Sequence, residues 1–279
     1  MSMAAERAFA PAKVNLALHV TGRRADGYHL LQSLVVFAGV GDDLFAEPAE
    51  GLSLTVEGPR AAGVPVDGRN LVLRAAEMLA PGRGAAIRLV KRLPHAAGIG
   101  GGSSDAAAAL RMLSRLWGVA VPGDVAALGA DVPVCLCAPA PMRMAGVGEV
   151  VTAVPALPEA ALVLVNPGVE VPTPAVFRAL ASRENAGMPE VPGGMDYDRF
   201  IRWLAGTRND LEPAAVGIAP VIGEVLDALR GAGADFAVMS GSGATCVGVL
   251  RDMGAAERVA RAVERPGWWV AAAPMLRAA

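Results

Sequence analysis

Four glycines in five positions, Gly98, Gly100, Gly101 and Gly102, run straight into Ser103, Ser104 and Asp105 in this 279-residue chain. Glycine lets the backbone take φ > 0 and bring N–H groups close to a ligand, and Ser and Asp are residues that open helices. Loop amides combined with the positive end of the following helix make a seat for an anion, and a phosphate fits it well. No Gly-Lys-Ser/Thr ending follows, so the stretch is not a P-loop. Counted from Gly98, the dinucleotide pattern Gly-x-Gly-x-x-Gly fails at Ser103. A tight turn that uses glycine only for its geometry is the other reading, although four glycines and two serines exceed what a turn needs.

Three further groups have the right types for chemistry. Lys13 and Asn15 lie two apart in an alternating segment, so they project to one face of a strand, where a point charge for phosphate and an orienting amide can meet one ligand. A solvated outer face is the alternative. Tyr28 and His29 follow an Asp26-Gly27 turn, where an aromatic and an imidazole can stack on and hydrogen-bond a heterocyclic base, or simply pack against a hairpin. Asp131, in Gly129-Ala130-Asp131-Val132-Pro133, is a carboxylate fixed between a glycine and a proline: a candidate acid or base, or a cap.

The elements that must hold these groups follow from periodicity. Alternation predicts strands over Ala8–Val20 and Leu30–Val40, with further short strands at Asp43–Ala46 and Leu52–Val56. Asn70 caps a predicted helix to Leu79, and a strand over Ile87–Lys91 leads into the glycine loop and a helix ending near Trp117. A weak helical turn covers Asp124–Leu128, and Cys135 and Cys137 are expected on one face of a strand. Beyond Pro155 and Pro158, strands are expected at Ala161–Val165, Asp235–Met239, Thr245–Leu250 and around Trp269. Helices are expected after Pro172, at Tyr197–Leu204, Pro220–Leu229 and Ala255–Val263. The plan is α+β.

Composition narrows the class. A 53% hydrophobic chain with 19% charged residues can build a substantial core, and a net charge of -2 gives no bulk attraction for nucleic acid or anionic membranes. No apolar run approaches a membrane span and the first residues do not read as a signal peptide, so the expected setting is cytoplasmic. Cys135, Cys137 and Cys246 show neither disulfide pairing nor metal-ligand spacing, and read as small core residues.

Pro11-Ala12-Lys13-Val14-Asn15-Leu16, Pro94 through Ser104, and Ser240-Gly241-Ser242-Gly243-Ala244 resemble, in that order, the three motifs of the GHMP kinase superfamily. Arg24-Ala25-Asp26-Gly27-Tyr28-His29, Leu128 through Pro133, Gly146-Val147-Gly148-Glu149 and Pro172-Thr173-Pro174 resemble, more closely, the branch whose acceptor is cytidine diphosphate methylerythritol. The resemblance runs from about Ala10 to Gly248. It implies a two-domain α+β fold: a ribosomal-protein-S5-domain-2-like nucleotide-binding domain over 1–156 and a ferredoxin-like α/β sandwich over 157–279. It also implies ATP-dependent phosphorylation of the methylerythritol 2-hydroxyl, in non-mevalonate isoprenoid synthesis, with Mg2+ accompanying the nucleotide.

The same resemblance implies that Asp131 takes the hydroxyl proton and that Lys13 steadies the charge on that carboxylate and on the transferring phosphoryl group. Pro94, His95, Ala96, Ala97, Gly98, Ile99, Gly100, Gly101, Gly102, Ser103 and Ser104 would then hold the ATP phosphates, with Asn70 and Lys91 around the adenosine. Tyr28 and Phe177 would sandwich the cytosine, His29 would bond its edge, Asn15 would orient the methylerythritol, and Thr173 would touch the substrate. The partner implied is this small molecule, without nucleic acid or membrane, for a monomer or weak homodimer. The link from Trp117 to Asp131 is shorter than the family pattern, Val134 stands where an aromatic is expected, and His95 is unusual after Pro94. A sibling kinase for homoserine or mevalonate and a non-catalytic nucleotide sensor are the rival readings; retention of both Lys13 and Asp131 argues against the sensor.

Overall fold

The structure, a computed structural model, describes residues 5–95 and 97–278. By proximity the described chain forms two compact units that alternate along the sequence: 5–12, 41–95 and 100–136 in one, and 13–40, 97–99 and 137–278 in the other. This division differs from a single cut at 156/157 because two long strands, β1 (Glu6–Arg23) and β2 (His29–Pro48), each give residues to both units.

In the first unit, the end of β2 pairs antiparallel with β4 (Ala85–Val90), and β3 (Leu52–Glu57) pairs parallel with β4. The separate strand expected at Asp43–Ala46 is the continuation of β2. Gly41, between the two expected strands, sits where a Cβ would stand 2.2 Å from the Ala10 carbonyl oxygen, so glycine permits a close backbone approach within one continuous strand. Helix α1 (Leu71–Leu79) begins where Asn70 Oδ1 accepts the Val72 N–H at 2.9 Å.

Helix α2 (Gly101–Trp117) buries an alanine-rich face, Ala106 to Ala109 with Leu110, Met112 and Leu113, against which α1 packs closely. Gly118, with φ +66°, ends it in the left-handed conformation. The short link onward is a loop and one 3-10 turn at Ala126–Leu128. No strand holds Cys135 and Cys137: Cys137 lies in a turn, and Cys135 in the short helix before it, α3 (Val132–Leu136), where its N–H donates to the Asp131 carbonyl at 3.0 Å. Pro133 falls in its first turn, where a missing N–H is tolerated.

In the second unit, Leu31–Val35 of β2 pairs antiparallel with β5 (Met142–Gly146), which pairs with β6 (Val150–Ala153). A four-stranded antiparallel sheet follows, in the order β10-β7-β9-β8, built from β7 (Ala161–Asn166), β8 (Phe236–Met239), β9 (Cys246–Leu250) and β10 (Trp269–Pro274). Strand β7 is apolar and buried along its length, as a central strand covered on both sides must be. Four helices lie between β7 and β8: α4 (Thr173–Arg178), α5 (Tyr197–Ala205), α6 (Glu212–Ile218) and α7 (Val221–Gly231). Helix α8 (Met253–Val263) joins β9 to β10. Helices α7 and α8 pack on the sheet through Ile222, Val225, Leu229, Val259 and Val263. Cys135 and Cys246 are buried, and all three cysteines remain thiols. Among the described residues no helix is long and apolar enough to cross a membrane.

Candidate active site

Lys13 and Asn15 are 3% and 1% exposed, so the solvated-face reading of this strand fails. Lys13 Nζ donates to Asn15 Oδ1 at 2.9 Å, Asn15 Nδ2 donates to Ser33 Oγ at 2.7 Å, and the Asn15 N–H donates to Ser240 Oγ at 3.0 Å. Alternation along β1 put both side chains on one side; burial then required that their polar atoms be satisfied by one another and by Ser33.

The middle of the glycine loop is fixed within the same unit. The Ala97, Gly98 and Ile99 carbonyls accept from the Thr245 N–H (3.1 Å), Ser240 Oγ (2.9 Å) and the Lys13 N–H (3.0 Å) respectively. Gly98 has φ +73°, and a Cβ there would lie 2.4 Å from the Ser240 carbonyl oxygen and 2.7 Å from that of Gly243. Ser240, which the sequence placed in a glycine motif without a role, therefore binds both Asn15 and Gly98. Ala96 lies outside the described residues.

Gly100, at φ +62°, is the N-cap of α2 and has no side-chain cap. The first intrahelical bond of the turn is Ser104 N–H to the Gly100 carbonyl at 2.8 Å, so the amides of Gly101, Gly102 and Ser103 precede it, as the first turn of any helix requires. Ser104 Oγ donates to the Pro11 carbonyl at 2.6 Å, which makes it an anchor for α2, while Ser103 is half-buried. Pro94 is half-buried; His95 is exposed, with Nε2 2.6 Å from the Arg60 carbonyl oxygen.

Asn70 is occupied at both ends, capping α1 through Oδ1 and donating from Nδ2 to the Pro65 carbonyl at 2.7 Å. Lys91 is buried and paired with Asp42 and with Asp105, the latter at 2.8 Å. Burial pulls its ammonium pKa down, but the two carboxylates more than offset this and the net shift is upward. Asp42 was not singled out from sequence, since nothing in a Gly-Asp-Asp run says that its first carboxylate is buried; Asp105, read there as a helix starter, lies inside α2, whose N-cap is Gly100. Asp131 is half-buried and stands immediately before α3.

Tyr28 is 65% exposed, and its ring is not the one stacked on Phe177. The ring stacked on Phe177 is that of His29, whose Nε2 is buried and without a hydrogen-bond partner. Burial, then the charges of Arg23 and Arg183, hold the His29 pKa below its ordinary value, so the ring is neutral at pH 7. Thr173 Oγ1 lies 2.6 Å from Ser242 Oγ.

Residues 70–138 match the family model described as GHMP kinases N terminal domain, and residues 194–267 match that described as GHMP kinases C terminal. The chain is 59% identical over 279 residues to the 4-diphosphocytidyl-2-C-methyl-D-erythritol kinase of Jannaschia sp. (strain CCS1), with 100% of both chains covered. It is similar to a crystal structure of 4-(cytidine 5′-diphospho)-2C-methyl-D-erythritol kinase, at 36% identity and TM-score 0.76, covering 98% of this chain and 100% of that one. A homoserine kinase from Cytophaga hutchinsonii shares the fold at TM-score 0.66 and 19% identity, covering 99% of this chain and 97% of that one.

Proposed function

The chain belongs to the 4-diphosphocytidyl-2-C-methyl-D-erythritol kinase family of GHMP kinases, and from that membership we propose how its residues divide the work. It is an ATP-dependent kinase that phosphorylates the 2-hydroxyl of 4-diphosphocytidyl-2-C-methyl-D-erythritol. The glycine loop carries this reading: left-handed Gly98 and Gly100 deliver the chain to a 17-residue helix whose opening amides lack intrahelical acceptors, which is a seat for phosphate.

Asp131 takes the proton of the acceptor hydroxyl as the hydroxyl oxygen attacks the γ-phosphorus of ATP, and the bond from that phosphorus to the β-phosphate oxygen breaks to release ADP. Lys13 offsets the charge that develops on the transferring group. Positioning and electrostatics supply most of the acceleration in such a transfer. Asn15, held by Lys13 and Ser33, orients the methylerythritol; Tyr28, His29, Thr173 and Phe177 receive the cytidine end. Asn70 and Lys91, whose side chains are engaged within their own unit, support the nucleotide side indirectly. Residues 1–156, the ATP-binding domain, also supply Asn15, Tyr28 and His29 to the acceptor, and the C-terminal domain, 157–279, adds Thr173 and Phe177.

Mg2+, carried on the nucleotide, would supply neutralising charge to the phosphates. Among the described residues no group of three or more His, Cys, Asp or Glu is placed to hold a metal, which suits an ion that keeps several waters and binds chiefly through the phosphates. We further propose a cytoplasmic setting and a monomer or weak homodimer.

ADP release with the cytidine substrate, homoserine and mevalonate tests the reading. Turnover is expected with the cytidine substrate alone, and Asp131→Asn is expected to lose roughly 10²–10⁴-fold in rate while still binding ATP. Turnover of another alcohol would move the chain to a sibling specificity, and ATP binding without any turnover would make it a sensor.

A further inference from the structure

Asp42, Lys91 and Asp105 form a buried ion cluster in the first unit, and none has a part in the proton and phosphoryl transfer proposed above. Buried ion clusters are poor stabilisers, since apolar residues of similar volume commonly do as well, so their geometry rather than their energy points to their use. Asp42 Oδ1 accepts the N–H groups of Arg92 (2.5 Å) and Leu93 (3.0 Å), the residues leading into the glycine loop. Its other oxygen pairs with Lys91 Nζ, which also bonds Asp105 Oδ2 at 2.8 Å, one turn into α2. A Cβ on Gly101 would stand 3.6 Å from Lys91 Nζ, so the ammonium lies directly against the first residue of that helix.

The cluster is itself footed on the sheet, because the Lys91 N–H donates to the Glu57 carbonyl at 2.7 Å and its carbonyl accepts from Arg60. Asp105 Oδ1 is buried without a partner, and burial, against the pull of Lys91, pushes this carboxyl up to about 7. An amide in place of that carboxyl would keep the acceptor for Lys91 and remove a poorly solvated charge.

We propose that Asp42, Lys91 and Asp105 are positioning residues for the nucleotide: one ion cluster ties the residues before the glycine loop to the first turns of α2 and so sets where the Gly101–Ser103 amides stand. This rests on the reading that those amides hold the ATP phosphates.

The test is calorimetric titration with Mg·ATP and steady-state kinetics on Lys91→Met, Asp105→Leu and Asp105→Asn, with thermal unfolding in parallel. Lys91→Met and Asp105→Leu are expected to weaken ATP binding and raise the ATP KM about tenfold or more, with the KM for the cytidine substrate within about twofold of wild type. Asp105→Asn should recover most of the ATP affinity lost in Asp105→Leu. Where Lys91→Met alone fails to fold, the Lys91→Met/Asp105→Leu double variant removes one charge of each sign and is expected to show the same loss. A folded variant with a lowered Tm and unchanged ATP affinity would overturn the proposal, as would an equal rise in both KM values; in either case the loop reading stands. Wild-type protein that fails to bind ATP would overturn the loop reading and this proposal together.

Discussion

The imidazole of His29 is stacked on the ring of Phe177, with centroids 4.6 Å apart and planes inclined by 22°. The neighbouring Tyr28 is largely exposed, and these rings are proposed to receive the cytosine. Stacked pairs contribute about 0.5–1.5 kcal/mol beyond area burial, so Phe177→Ala and Tyr28→Ala should each raise the KM for the cytidine substrate about two- to tenfold. The ATP KM should not move. Steady-state kinetics with each substrate varied in turn checks this; an unchanged acceptor KM in both variants would place the base elsewhere.

Gly98 and Gly118 are both left-handed, at φ +73° and +66°, but their surroundings differ. Nothing lies within 4 Å of a Cβ on Gly118, whereas one on Gly98 would overlap two backbone carbonyl oxygens. Gly118→Ala should therefore cost only the conformational penalty of about 1–2 kcal/mol. Gly98→Ala adds steric displacement of the loop and should lose both Tm and ATP affinity by clearly more. Thermal unfolding and ATP titration of the two variants separate strain alone from strain with overlap.

The strand alternation around Lys13 and the glycine loop before α2 were legible because each is a local signal: period two for β1, and glycines followed by helix starters for α2. Local signals misled where a tertiary approach decided the outcome. The strands expected to end at Val40 and restart at Asp43 are one, with Gly41 between them in close contact with Ala10, and Cys135, placed on a strand by its spacing from Cys137, belongs to a helix nucleated after Asp131. Asp42 and Ser240 were invisible as loop anchors because their partners, Leu93 and Gly98, are 51 and 142 residues away along the chain. The stack of His29 on Phe177 was not legible either, because side-chain packing and not residue type decides which ring meets which.

Ser240 Oγ donates to the Gly98 carbonyl at 2.9 Å and accepts the Asn15 N–H at 3.0 Å, in a fully buried position. Ser240→Ala leaves both buried backbone groups without that partner, and an unsatisfied buried group costs about 1–3 kcal/mol. The variant should show a lower denaturation midpoint with an unchanged m-value, and weaker ATP binding because Gly98 loses its tether. Urea unfolding and ATP titration read the two effects separately, and an unchanged midpoint would remove Ser240 from the anchoring of the loop.

His19 is buried in β1 with both ring nitrogens engaged: Nδ1 lies 3.2 Å from the Ala186 carbonyl oxygen and Nε2 accepts the Arg208 N–H at 3.3 Å. These partners require a neutral ring with its proton on Nδ1. Burial holds the pKa below the ordinary 6.5, with the Arg208 charge adding to the effect. The unfolded chain then binds more protons than the folded one just below that value, so the contribution of His19 is fully present above pH 6.5 and falls away as pH drops toward the folded value. Asp43 acts in a separate, more acidic window. Although burial raises its pKa, hydrogen bonds from Arg7 and Arg92 outweigh that and hold it below 3.8, so its contribution is present above 3.8 and lost only as pH falls through the folded value. Urea unfolding of the wild type and His19→Gln at about pH 7.5 and about pH 5.5 isolates this contribution: over that drop in pH the wild type should lose more stability, or gain less, than His19→Gln. His29, whose pKa is also lowered, and Asp105, whose raised carboxyl contributes more stability as pH falls, supply opposing slopes that remain in that variant. A wild-type slope that His19→Gln leaves intact would show that the titrating group lies elsewhere.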